Sequence, residues 1–231
     1  MKKSDFILIL VLISIFLPFF VFEPLYNFYE TFNKEHGYIM SFLKFFLLAP
    51  IGELLGLRIR IGSYYQKGFG LLQRAIVWGF LGITIKMAFT IFAAGAPKML
   101  LGMGIEIPPD IMVQNFSVLK LLVAFSISAT MNIFYAPVLM LTHKITDEHI
   151  IMNNGSLTKF FSPIKIRHIM NNINWDVMWS FVFKKSIPIF WIPMQTINFL
   201  LPDSYRILVA ALLGIVLGVI MAIASLMSKG K

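Results

Sequence analysis

An all-α, polytopic transmembrane bundle of about six spans is the fold this sequence predicts, and three observations predict it. Hydrophobic residues fill 58% of the 231 positions, mean hydropathy is +0.80 and only 13% of residues are charged, an apolar share above and a charged share below those of a soluble domain. The 23 Phe residues recur through the long apolar runs without alternating with polar residues, which argues for helices and against an outer-membrane barrel. Lys and Arg, which carry the formal charge of +9, gather between the apolar runs. They form no basic face or stripe, so they act as topological signals and no nucleic-acid partner is expected.

The elements follow from length. A helix rises about 1.5 Å per residue and the hydrocarbon core is about 30 Å thick, so roughly 17 to 25 apolar residues mark a span. Six runs qualify: Phe6 to Phe22, Tyr38 to Leu57, Ala75 to Ala96, Val118 to Leu141, Phe181 to Leu201 and Ile207 to Met227. The fifth is the least regular. The first follows Met1-Lys2-Lys3, but Phe20-Val21-Phe22-Glu23-Pro24 lacks a small-residue cleavage site, so it reads as a retained anchor. Pro18 bends only its last turn. The whole chain, 1–231, reads as one membrane domain.

Fourteen of the twenty Lys and Arg fall in the segments that lie inside if both termini are inside, and three, Lys34, Lys98 and Arg206, fall outside. That bias places both termini on the inner side, in a cytoplasmic membrane for a prokaryote or an organelle membrane for a eukaryote. Thr142 to Asn174 is then an inner loop. From Pro163, Ile164, Ile166, Ile169, Met170 and Ile173 alternate with Lys165, Arg167 and His168 in a pattern compatible with an interfacial helix.

Few residues within the spans could carry chemistry. Lys86 is the twelfth residue of its 22-residue run, near mid-membrane by that count, and Glu53 is the only carboxylate within a span. Intramembrane charges mark solute paths or structural pairs, although the counted depths of these two do not match. Asn132 ends a series with Ser126, Ser128 and Thr130 that suits interhelical hydrogen bonding or a pore lining. Ala210, Gly214, Gly218 and Ala222 make a small-residue ridge, matched in spacing by Gly52 and Gly56, which suits close packing within the chain or a homo-oligomer seam. His143, Asp147, Glu148 and His149 fit no metal-binding helix motif and read as a solvated loop end. With zero Cys and no phosphate-binding or nucleophile motif, the chain is expected to be no enzyme and to hold no metal or cofactor.

The most distinctive stretch runs from Trp191 to Arg206. Gln195 and Asn198 are amides three residues apart on one helical face, and amides in hydrocarbon need partners or a wet cavity. Pro193 weakens the helix before them and Pro202 ends it. Trp191, Pro193, Gln195, Asn198, Phe199, Pro202, Tyr205 and Arg206 resemble the signature of the Mpv-seventeen and peroxisomal membrane protein family, with the first proline displaced by one. Fainter resemblance reaches back to about Phe42, through Gly52-Glu53, Arg74, Gly79-Phe80 and Lys120. Ala124-Phe125 replaces an Asp-Gln pair of the family, and the first anchor is additional to its usual four spans. The resemblance implies a channel-like or solute-permeation role in membrane homeostasis.

Two functions are therefore expected. In the first, Glu53, Lys86, Asn132, Gln195 and Asn198 face one polar cavity that forms or regulates a small-solute path. In the second, the same amides and glycines only pack helices, and the inner basic loops bind anionic lipid or a partner. Side chains turned into separate dry interfaces would remove the lining on which the first depends.

Overall fold

The structure, a computed structural model, describes the backbone of residues 2–229 and side chains up to residue 223. The end of the sixth run and the basic residues Lys229 and Lys231 lie outside the described side chains.

The fold is all-helical among the described residues. In chain order the elements are α1 (Lys3–Val21), α2 (Glu23–Glu35), α3 (Gly37–Ile61), α4 (Leu71–Gly102), α5 (Val118–Phe134), α6 (Ala136–Met152), α7 (Leu157–Phe160), α8 (Ile166–Asn172) and α9 (Trp175–Val177). A π-helix (Met178–Trp191) continues into α10 (Ile192–Leu200), and α11 (Asp203–Lys229) comes last. Four helices, α1, α3, α4 and α11, are long and apolar enough to cross a membrane, and α5 with α6 makes a fifth if that pair is one span bent by 43°.

Length and composition mark four or five of the six expected runs as spans, and proline shapes the two runs that depart from a single straight α-helix. At the fourth run Pro137 lies in the first turn of α6, where a missing amide hydrogen is tolerated. The chain therefore bends at Tyr135 and stays helical to Met152. The segment expected as a loop after Leu141 is helix. At the fifth run Pro188 lies inside the helix and Pro193 opens the next one. Pro188 cannot donate to the carbonyl four residues back, and the backbone here takes the wider π winding. Lys184 and Lys185 further interrupt this run.

Two other elements add to the sequence reading. Glu23–Glu35, between the first two runs, forms an amphipathic helix started by Pro24 in its first turn. The segment after Pro163 does form a short helix, α8, but Ile169 and Ile173 turn inward against Met178, leaving Ile164 and Ile166 exposed.

One core cluster unites Phe45, Leu48 and Ile51 of α3, Ile85 and Phe89 of α4, Val123 and Ile127 of α5, Phe199 of α10 and Ala210 and Ala211 of α11. The exposed face is apolar as well, with Phe6, Leu10 and Leu17 of α1, Phe80 and Ile91 of α4 and Val216 and Ile220 of α11 uncovered. That is the surface a lipid-facing bundle presents.

The small-residue ridge of α11 packs on α3 within the chain. A Cβ added at Gly52 would lie 2.9 Å from the Ile215 Cα, and one at Gly56 would lie 3.9 Å from the Ala222 Cβ. A Cβ at Gly214 would meet nothing within 4 Å. Gly52→Ala is therefore expected to cost about 1–3 kcal/mol through overpacking. Gly214→Ala should be neutral or stabilise slightly by removing helix-interior glycine. Thermal unfolding of the two variants in one detergent checks the contrast.

The bundle has two polar ends. Lys2 donates to the Gly62 carbonyl at 2.9 Å and Asp5 pairs with Arg58 at 2.8 Å, so α1 begins beside the end of α3. Arg74 opens α4 at this same end. At the other end α2 lies over the starts of α3 and α11: Asn33 reaches the Ser204 carbonyl at 3.5 Å, and the Tyr26 and Tyr205 hydroxyls are 3.4 Å apart. Hydrogen bonding to Tyr205 and Glu30 holds the Tyr26 hydroxyl above the ordinary phenol range, and burial raises that of Tyr29.

Candidate functional site

The densest polar constellation lies at the Arg74 end and joins α3, α4 and α6. Arg74, in the first turn of α4, is 7% exposed and reaches Glu53 Oε2 of α3 at 2.5 Å and Asp147 Oδ1 of α6 at ion-pair contact. Its Nε donates to the Phe69 carbonyl at 2.7 Å, and the guanidinium lies 4.5 Å from the Phe69 ring centroid. Trp78, one turn along α4, donates its indole N–H to Glu53 Oε1 at 2.6 Å. His143 Nε2 approaches the same oxygen at 3.3 Å, with its ring 4.4 Å from that of Trp78.

This arrangement follows from the continued helix. His143 and Asp147 are four residues apart, hence on one face of α6, and the bend at Tyr135 turns that face onto α4. Thr84 Oγ1 and the Tyr135 hydroxyl are 2.7 Å apart beside the bend. The reading of His143 and Asp147 as a solvated loop end is thereby corrected. Glu148 lies off this face and pairs with Lys144 at 2.6 Å, and the buried His149 faces the Phe160 carbonyl at 3.0 Å.

A guanidinium held between two carboxylates can bridge three helices, because its planar fork offers several directed donors. Glu53, His143 and Asp147 also bring ligand atoms within 4.8 Å of one another, a donor set of the kind that binds divalent metals. The Arg74 guanidinium already bears against both carboxylates, so the positive charge a metal would bring is supplied by the chain.

The other expected site residues are not brought to this cluster. Lys86 pairs with Asp203 at 3.5 Å, not with Glu53. It lies at the level of the first residue of α3, since a Cβ on Gly37 would be 3.6 Å from its Cε. Lys86 stands near the middle of α4, whose 32 residues extend about 48 Å, and it faces the start of the shorter α3. Asn132, on α5, donates to the Ser128 carbonyl at 2.9 Å, while Ser128 donates to the Ile192 carbonyl at 2.7 Å and so joins α5 to α10.

Gln195 and Asn198 are buried together. Asn198 donates to Gln195 Oε1 at 2.8 Å and to the Arg206 carbonyl at 2.9 Å, which ties α10 to the start of α11 across the Pro202 turn. Arg206 Nε in turn donates to the Leu201 carbonyl at 2.9 Å. Asn198 Oδ1 and Trp191 Nε1 are buried without a hydrogen-bond partner among the described residues. Phe199 is fully buried and packs on Phe89 with ring centroids 4.9 Å apart. The signature segment is thus a folded corner of the bundle. Lys120, within the fourth run, satisfies its amine on the Gln114 carbonyl at 2.6 Å.

Arg74, Trp78 and His143 as partners of Glu53, and Asp147 as the second partner of Arg74, are what sequence reasoning missed. The signal for them is the four-residue spacing of His143 and Asp147, which becomes a shared face once Pro137 is read as a helix start. Comparison with protein-family models, with curated proteins and with solved structures finds no match.

Proposed function

We propose that this chain is an integral membrane protein, both termini on the cytoplasmic or matrix side, that acts as a non-transporting membrane component. Its buried polar residues lock a helical bundle, and its basic end engages anionic lipid headgroups or an acidic partner. One observation carries the reading. The five polar residues that would line a path sit in separate contacts, with Glu53 on Arg74, Lys86 on Asp203, Asn132 on Ser128, and Gln195 on Asn198. Between the Arg74 and Asp203 ends the core is filled by Leu48, Ile51, Ile85 and Ile127. Exposed Arg60, Lys67, Lys165, Arg167, Lys184 and Lys185 suit anionic headgroups, at about 1 kcal/mol for each basic residue near the surface.

The test is flux of ions and small metabolites in liposomes holding the purified protein. No flux above protein-free liposomes is expected, together with retained anionic lipid that falls when Lys165, Arg167, Lys184 and Lys185 are neutralised. The Arg74 cluster favours a second reading, since buried ionisable residues in a membrane domain mark solute paths. There the chain forms or regulates a small-solute path, as the signature resemblance implies. Solute flux that changes with Arg74→Met while the protein stays assembled would favour this second reading.

A further inference from the structure

The Asp203 end holds more positive charge than it balances. Lys86 Nζ lies 3.5 Å from one oxygen of Asp203, and an Arg206 terminal nitrogen lies 3.4 Å from the other. Both are longer than the roughly 2.7–2.9 Å of a close charge-assisted pair. Lys44 of α3 donates to the neutral Asn33 amide oxygen at 2.6 Å, and the same amide reaches the carbonyl of Ser204, next to Asp203, at 3.5 Å. The Tyr29 ring, 5.3 Å from Lys44 Nζ, closes one side.

Burial makes the imbalance matter. Lys44 and Arg206 are buried and the Lys86 side chain is 22% exposed, whereas the Asp203 side chain is 70% exposed. Glu30, an acid of α2 within electrostatic reach of Tyr29, is exposed and takes the Tyr26 hydroxyl at 2.9 Å. Among the described residues, Lys86 and Arg206 therefore share one exposed carboxylate at long range, and Lys44 beside them rests on a neutral amide. Like charges desolvated together without matching counter-charge are unfavourable unless an anion completes them.

We infer that Lys44, Lys86 and Arg206 form an anion-binding site at the Asp203 end that takes a phosphate group, with Asp203 as an internal anion competing for the same cations. The excess of two positive charges suits a phosphate better than a single carboxylate, and a guanidinium beside ammonium groups is chemistry that recognises phosphate oxygens. The site is separate from the Arg74 cluster and independent of whether the protein transports.

The experiment is a calorimetric titration of the purified full chain with inorganic phosphate in neutral detergent. A parallel arm compares nanodiscs of phosphatidylcholine with nanodiscs containing phosphatidic acid. Saturable binding in the first arm identifies a free anion as the source, and protection from thermal unfolding only in phosphatidic acid discs, kept when Lys165, Arg167, Lys184 and Lys185 are neutralised but lost in Lys86→Met, identifies a lipid headgroup; either supports the site. Asp203→Asn, at an exposed position, should bind about tenfold tighter and Lys86→Met about tenfold weaker, the scale of one charge near a protein surface. Exposed Lys98→Met should leave affinity unchanged. Absence of binding in both arms, with wild type and with Asp203→Asn, would overturn the inference. So would an affinity unmoved by Asp203→Asn, or one lowered as much by Lys98→Met as by Lys86→Met.

Discussion

Arg74→Met is expected to lower the stability of the folded bundle by about 3–5 kcal/mol, because removing one partner of a buried ion pair leaves its charge uncompensated. Here the loss is doubled in kind: Glu53 and Asp147 both face Arg74, so two carboxylates from different helices are left to confront each other. His143 and the Trp78 indole still contact Glu53, and neither is hydrogen-bonded to Asp147. The double variant Arg74→Met with Glu53→Gln should recover part of the loss, since the remaining carboxylate no longer meets a second one. A double-mutant cycle on thermal unfolding in detergent measures this coupling. Additive losses would show that the cluster is not the joint between α3, α4 and α6.

Asn198→Asp carries the second large effect, although the side chain keeps its size. Asn198 is fully buried and its amide nitrogen donates to two acceptors, Gln195 Oε1 and the Arg206 carbonyl. An aspartate sets an oxygen against both, and a carboxylate without exposure or a facing donor is among the costliest changes a core can take. The expected loss is about 3 kcal/mol or more. Asn198→Leu should lose less, about 1–3 kcal/mol, since it strands the two acceptors without adding charge and also removes the unpartnered Oδ1. Limited proteolysis and unfolding of the pair check the order. Equal stability of the Asp and Leu variants would mean that this corner is wet.

Both effects arise from contacts, and contacts are where the sequence is hardest to read. Runs of apolar residues long enough to span the bilayer coincide with α1, α3, α4 and α11, because run length is limited by bilayer thickness and needs no knowledge of neighbours. The fourth and fifth runs depart from straight α-helices at their prolines. Pro137 begins a helix and Pro188 sits in a π winding, and run length contains neither outcome. Counting along its own run does not reveal the partner of Lys86. Which end of the shorter α3 it meets, and its pairing with Asp203, are matters of packing.

The ion cluster is the least legible part. Glu53 stands out in the sequence by being alone within a span, but its partners lie 21, 25 and 90 residues away, on helices whose adjacency no local pattern reveals. The amides of α10 visibly need partners. That those partners are each other and the Arg206 carbonyl follows from the turn at Pro202, which folds α11 back onto them.

The central claim, that the buried polar residues are dry locks and line no path, is open to a direct measurement because the chain has no native cysteine. Ser128→Cys, Asn132→Cys and Gln195→Cys place single thiols at buried positions, and Lys67→Cys supplies an exposed control. Liposomes holding each variant would be treated with a membrane-impermeant thiol reagent, first intact and then after denaturation. Lys67→Cys is expected to label from the side it faces, and the three buried thiols only after denaturation. Rapid labelling of any of the three in the intact, folded protein would contradict the claim and establish a water-filled path through the bundle.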